Sequence, residues 1–119
     1  MTVLFIKVDG CLNHPQTDAK APDGSLGVVN SLVKQLRNDL KTNMEPGTQL
    51  VLYGDWAKDW NFDEKKCTPR GKYLIKKLDR EGLHLMDHAD SNIPSETEQI
   101  KQYAESHHVD RYEIWRKSQ

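Results

Sequence analysis

VLFIKVDG, residues 3–10 of the chain, carries the strongest signal of its fold class. Five of its first six residues are apolar and three are β-branched, a composition typical of a strand that is buried on both faces of a sheet. The run ends at Asp9 and Gly10, a pair that favours a turn. A strand of a helix-covered parallel sheet is therefore predicted over residues 3–8.

Helical and strand patterns alternate along the rest of the chain. The helices show apolar residues at three- and four-residue steps next to capping residues, and the strands are short β-branched runs. In order, the predicted elements are the strand 3–8, a helix capped near Ser25, a strand 49–53, a helix 68–82, a strand 83–86, a helix with the capping box Ser95 and Glu98, and a strand 110–115. Strands that alternate with helices form parallel sheets. The predicted fold class is α/β, a single domain of residues 1–119 with a parallel sheet of three or four strands and helices on both faces.

The amino-acid composition limits the classes of binding partner that are expected for this protein. The 119 residues include 17 basic and 18 acidic ones, so the net charge of −1 gives no global reason to expect a nucleic acid or an anionic membrane. No apolar run reaches the length of a membrane span, and the N-terminal run lacks the basic start of a signal peptide. Cys11 and Cys67 are expected to be reduced thiols, so a cytoplasmic location is expected.

Candidate ligand-binding residues follow the predicted strands. Ligands of open parallel sheets bind outside the carboxyl ends of the strands, so the residues at those ends belong together. They are Lys7, Asp9 and Gly10 after the first strand, Gly54 and Asp55 after the second, and Arg116 and Lys117 after the last.

The order of these segments resembles a known superfamily. FIKVDGCLN, residues 5–13, looks like the first motif of haloacid-dehalogenase-type (HAD) hydrolases, and residues 49–56 are similar to the second. Residues 68–83 and 98–114 resemble the helices, glycine turn and strand that follow in short HAD-like domains associated with RNA-repair proteins. The resemblance runs from Val3 to Ile114 and implies a Rossmannoid three-layer sandwich.

The catalytic positions of that superfamily carry other residues here. The resemblance places a nucleophilic aspartate, an acid/base aspartate, a phosphate-binding hydroxyl, a basic residue and a metal-binding acidic pair along the chain. The corresponding residues are Lys7, Asp9, Gly54 or Asp55, Glu96, and the pair Arg116 and Lys117.

These replacements predict a binding protein. An ammonium group only donates hydrogen bonds and cannot ligate Mg²⁺, so Lys7 removes the superfamily's mechanism, and neither a metal nor a cofactor is expected. The leading hypothesis is a non-catalytic HAD-like protein whose cationic strand-end pocket binds or sequesters a phosphorylated small molecule or a nucleotide. A residual phosphatase that uses Asp9 is a third hypothesis.

The basic residues at the strand ends have alternative interpretations. Lys7 either contacts the anion or forms a salt bridge with Asp9 or Asp55, because a charge at the end of a buried strand needs a partner. Arg116 and Lys117 either complete the pocket or belong to a solvated C-terminus.

The aromatic loop supports the second hypothesis, an interaction module such as an inhibitor from a phage or another mobile element. Trp56 is expected in the core, whereas Trp60 and Phe62 lie in a polar loop. They stack on a base, anchor a protein partner or pack the loop.

The following helix carries three lysines, Lys72, Lys76 and Lys77, which are expected on its solvent-exposed face. An RNA-binding stripe needs interleaved aromatic residues, and this helix lacks them.

Overall fold

The computed structural model describes residues 1–117. Two short 3-10 helices, Asp55–Asp59 and Glu64–Lys66, lie in the loop that follows the second strand. The remaining elements, in chain order, are β1 (Thr2–Ile6), α1 (Asn30–Asn43), β2 (Gln49–Leu52), α2 (Pro69–Asp79), β3 (Leu85–His88), α3 (Glu96–Ser106) and β4 (Arg111–Ile114). Residues 118 and 119, the end of the predicted domain, lie outside the described residues.

The four strands form one parallel sheet in the order β3-β2-β1-β4. Strand β1 is therefore an inner strand, as its apolar sequence predicts, and it is hydrogen-bonded to β2 and β4. The predictions of the α/β class and of a small parallel sheet are confirmed. No helix within residues 1–117 has the length and apolar character needed to cross a membrane.

Alternate residues of β1 build two hydrophobic clusters on opposite faces of the sheet. Leu4 and Ile6 belong to a cluster that includes residues of α1 and α2, among them Leu36 and Leu74. Val3 and Phe5 belong to a second cluster with Ile100 and Tyr103 of α3. The ring of Phe5 meets that of Tyr103 edge-on, with centroids 5.7 Å apart. Two helices thus cover one face and the third helix covers the other.

The predicted start of the first helix near Ser25 is wrong. The Ser25 backbone N–H and hydroxyl both donate to Asp23 Oδ1, at 3.1 and 2.6 Å, which forms a turn instead of a helix cap. Lys20 and Leu26 then form an isolated β-bridge, and Val29 is still extended. The local turn competes with helix formation, so the N-cap of α1 is Val29, four residues after the predicted one, and the helix begins at Asn30.

The third strand is displaced from the predicted residues 83–86 to Leu85–His88. Gly82, the predicted stop of α2, has a φ of +72°, and the Leu83 N–H donates to the carbonyl of Leu78 at 3.0 Å. This hydrogen bond closes the C-terminus of the helix and occupies the N–H of Leu83, so the strand begins after Leu83. Helix caps at Thr68 and Ser95 are as predicted, with each hydroxyl accepting from a backbone N–H of the first turn.

Candidate functional site at the carboxyl edge of the sheet

The three predicted cationic residues converge beyond the ends of β1 and β4. Phe5 pairs with Ile114 in the register of these strands, and the Trp115 N–H donates to the Phe5 carbonyl at 2.9 Å. Lys7 and Arg116 therefore both lie just beyond the carboxyl ends of β1 and β4, at one corner of the sheet. Burial raises the pKa of the Cys11 thiol, and the charges of Lys7, Arg116 and Lys117 all oppose that rise. The three cations thus lie close enough to Cys11 to act on its thiol electrostatically.

Lys7 forms an ion pair with Glu96 at the N-terminus of α3. Its ammonium lies 2.8 Å from Glu96 Oε1, with the side chains of Lys7 and Glu96 24% and 46% exposed. The hydrogen bond to Glu96 raises the pKa of Lys7 against the opposing effect of burial. The partner is neither Asp9 nor Asp55, the two carboxylates predicted from sequence.

Gly54 leaves room for this pair and has a backbone conformation that favours glycine. Its φ is +85°, and a Cβ there would lie 3.1 Å from Glu96 Oε2 and 3.4 Å from Lys7 Cβ. Its N–H donates to Gln99 Oε1 at 2.8 Å, and Gln99 Nε2 in turn donates to the Ile93 carbonyl at 2.8 Å. Gln99 is 4% exposed. The sequence-based predictions did not include Gln99. A polar residue next to Ile100 on the inner face of α3 could have indicated a buried side chain that hydrogen-bonds to the backbone.

Asp9 organises the loop after β1. Asp9 Oδ1 accepts hydrogen bonds from Trp56 Nε1 and from Asn13 Nδ2, both at 3.1 Å. Asn13 Oδ1 accepts from the Gly10 N–H at 2.9 Å. The ammonium of Lys117 donates to the Asn13 carbonyl at 3.2 Å, which ties the end of the described chain to this loop.

Asp55 belongs to a separate network centred on Arg70. Asp55 accepts from Lys58 at 2.9 Å and from Arg70 Nη2 at 3.0 Å, and these hydrogen bonds, that of Lys58 first, lower the pKa of its carboxyl. Arg70 also donates twice to Asp59 Oδ2, at 2.6 and 2.9 Å, and lies over the Trp56 ring at 4.3 Å. Arg70 was not predicted as a site residue, because its partners are set by the loop geometry.

Arg116 differs from the other residues of this corner. It is exposed and makes no hydrogen bond or ion pair with any of residues 1–117. Lys7 is neutralised by Glu96, and the Lys117 ammonium has a carbonyl acceptor. The guanidinium of Arg116 is therefore the most available anion-binding group at the strand ends.

The two aromatic residues of the loop have different environments. Trp60 is 7% exposed and belongs to the core, so little of its ring is accessible to a ligand. Phe62 is 71% exposed, and its ring meets Trp60 edge-on at a centroid distance of 5.1 Å. Trp56 is buried, as predicted, at 1% exposure. Of Trp60 and Phe62, Phe62 is the ring that is accessible for stacking.

The residues at the strand ends do not fit the Mg²⁺ site that the HAD resemblance implies. An ammonium and a guanidinium, from Lys7 and Arg116, stand where carboxylates would bind the ion, and neither is a metal ligand. In the described part of the chain, no group of three or more His, Cys, Asp and Glu side chains is arranged to hold a metal ion.

The chain matches no protein-family model, and no curated protein and no solved structure is significantly similar to it.

Proposed function

We propose that this protein is a non-catalytic binding protein that takes up a phosphorylated small molecule or a nucleotide at the carboxyl edge of its sheet. The observation that carries the proposal is the register of the adjacent strands β1 and β4, which places Lys7, Arg116 and Lys117 together beyond their carboxyl ends. Carboxyl ends of parallel strands are the usual place for ligands in such sheets.

The available donors define how a phosphate group binds there. The N–H groups of Gly10 and Gly54 are already bonded to Asn13 and Gln99, so they do not form the backbone cradle that glycine-rich phosphate loops provide. Recognition therefore depends on side chains. Arg116 offers a planar fork of N–H donors that matches a phosphate in a two-bond arrangement.

Glu96 competes with the ligand for Lys7. Its carboxylate occupies Lys7 at 2.8 Å, so a phosphate that binds Lys7 replaces one anion with another. The pair keeps Lys7 compensated while the site is empty, because an unpaired charge at a buried strand end is costly. Removing the charge of Glu96 should therefore strengthen phosphate binding, while removing Lys7 or Arg116 should weaken it.

The testing experiment measures the thermal shift of the protein with inorganic phosphate, nucleotides and sugar phosphates, each with and without Mg²⁺. A ligand that binds the native state raises the melting temperature according to its concentration relative to Kd. We expect Arg116→Ala and Lys7→Ala to abolish the shift and Glu96→Gln to enlarge it. Lys34→Ala, which removes one exposed charge from α1, is the matched control and should leave the shift unchanged.

Two results would overturn the proposal. One is the absence of a shift with every phosphorylated compound in both the parent protein and Glu96→Gln. The other is a shift that Lys34→Ala reduces as much as Arg116→Ala, because that outcome reports only nonspecific attraction of anions.

A further inference from the structure

The small net charge conceals two strongly charged regions. Residues 58–80, which include α2, contain eight basic and four acidic residues. Residues 81–113, which include α3, contain two basic and eight acidic residues. Since α2 and α3 pack on opposite faces of the sheet, the molecule has a basic side and an acidic side. The overall composition of the chain does not reveal this separation of basic and acidic residues.

The basic side has lysines without carboxylate partners. We use the term lysine surface for Lys65 and Lys66 of the second 3-10 helix together with Lys72 and Lys76 of α2. All four side chains are exposed, and none forms an ion pair with a carboxylate within residues 1–117. Lys65, Lys72 and Lys76 line a shallow cavity of about 220 Å³, with Glu64 as the one acidic residue in its lining.

An exposed aromatic ring adjoins the lysine surface. Glu64 also lines a second cavity, of about 200 Å³, together with Phe62, Trp60 and Ile75. Trp60 is buried, so its edge-on contact supports the Phe62 ring from the core side and leaves Phe62 71% exposed. The aromatic group that α2 lacks in its own sequence is thus supplied by the loop before it.

We propose that the lysine surface and Phe62 together bind a single-stranded nucleic acid. Unpartnered ammonium groups attract the phosphate backbone, and an exposed aromatic ring stacks on an unpaired base. The ring favours this ligand over a purely acidic protein segment, which would need the lysines but not the stacking group. It also favours a single strand over a duplex, whose bases are already stacked. This surface lies outside the strand-end residues that carry the proposed phosphate site.

Fluorescence anisotropy with a labelled oligothymidylate of about twenty nucleotides tests the proposal on the full chain. We expect binding that weakens with salt. Replacing both Lys72 and Lys76 by Ala should reduce the slope of log affinity against log salt by roughly 1.4, because two phosphate contacts are lost. Phe62→Ala should weaken oligothymidylate binding about tenfold while leaving the weaker binding of inorganic polyphosphate unchanged, because polyphosphate has no base.

Two variants control for charge and for the other site. Replacing Lys34 and Lys41 on α1 by Ala removes the same charge from another exposed surface and should preserve binding. Lys7→Ala should also preserve it, which keeps this test independent of the strand-end site. The proposal is overturned if the α1 variant loses as much affinity as the α2 variant, or if Phe62→Ala has no effect. It is also overturned if the lysines instead support salt-sensitive self-association without oligonucleotide binding.

Discussion

The carboxyl edge of the sheet and the lysine surface both carry cationic side chains, but the two regions treat those charges differently. At the edge, Lys7 is paired with Glu96, Asp55 with Arg70, and Asp9 with Trp56 and Asn13. On the lysine surface, the ammonium groups have no carboxylate partners among residues 1–117. An anion that binds at the edge meets the unpartnered Arg116 but must displace Glu96 from Lys7. On the lysine surface it meets only unpaired ammonium groups. Charge count alone does not distinguish a compensated site from an available one.

The difference predicts that losing a largely buried, paired charge such as that of Arg70 costs far more stability than losing a charge on the lysine surface. Arg70→Ala should lower the free energy of unfolding by about 3 kcal/mol, because it leaves the buried Asp59 carboxylate without its cation. Lys72→Ala should change it by no more than about 0.5 kcal/mol, since the side chain is exposed and unpaired. Urea denaturation of the two variants measures both values, and similar losses would remove the contrast between the regions.

Backbone geometry at the edge gives the next largest effect. Gly54→Ala should destabilise the fold by roughly 1–3 kcal/mol, because a φ of +85° is unfavourable for alanine and the new Cβ would crowd Glu96 and Lys7. Gly24→Ala is the matched control, with a φ of +87° but open space around its Cβ. Urea denaturation measures the free energy of unfolding of both variants. An equal loss in the two variants would mean that the cost comes from the positive φ alone, and that Gly54 has no particular role in accommodating the ion pair.

The sequence predicts the order and type of the elements because their signals are local. The strand over residues 3–8, the caps at Thr68 and Ser95 and the stop at Gly82 each depend on a few neighbouring residues. The start of α1 was misplaced because Asp23 engages Ser25 in a competing turn. The partner of Lys7 was missed because Glu96 is 89 residues away and reaches Lys7 only once α3 packs on the sheet. Pairings between distant charges depend on tertiary structure, which residue spacing does not encode.

The ion pair at the edge gives a smaller, pH-dependent effect. Because Glu96 raises the pKa of Lys7 above its ordinary value of 10.5, the stabilisation is complete below that value and is lost as pH rises through the folded-state pKa. The pair is partly exposed, so Lys7→Met should cost only about 0.5 kcal/mol near neutral pH. Urea denaturation at pH 8 and above pH 11 should show this difference shrinking. A constant difference would mean that Lys7 stabilises by packing alone.

The smallest expected effect is that of Mg²⁺ on phosphate chemistry, which should be none. Lys7 has no carboxylate to attack phosphorus, and Arg116 and Lys117 would repel the metal ion. The Oδ1 atom of Asp9 already accepts hydrogen bonds from Trp56 and Asn13, which gives this carboxylate a structural role in the loop after β1. An aryl phosphate incubated with the protein should release phenol at the same rate with and without Mg²⁺, and at the rate of a buffer control. Metal-dependent turnover that disappears in Asp9→Asn would show that a residual hydrolase survives at the edge, and that the internal partners of Asp9 do not prevent it from acting on a substrate.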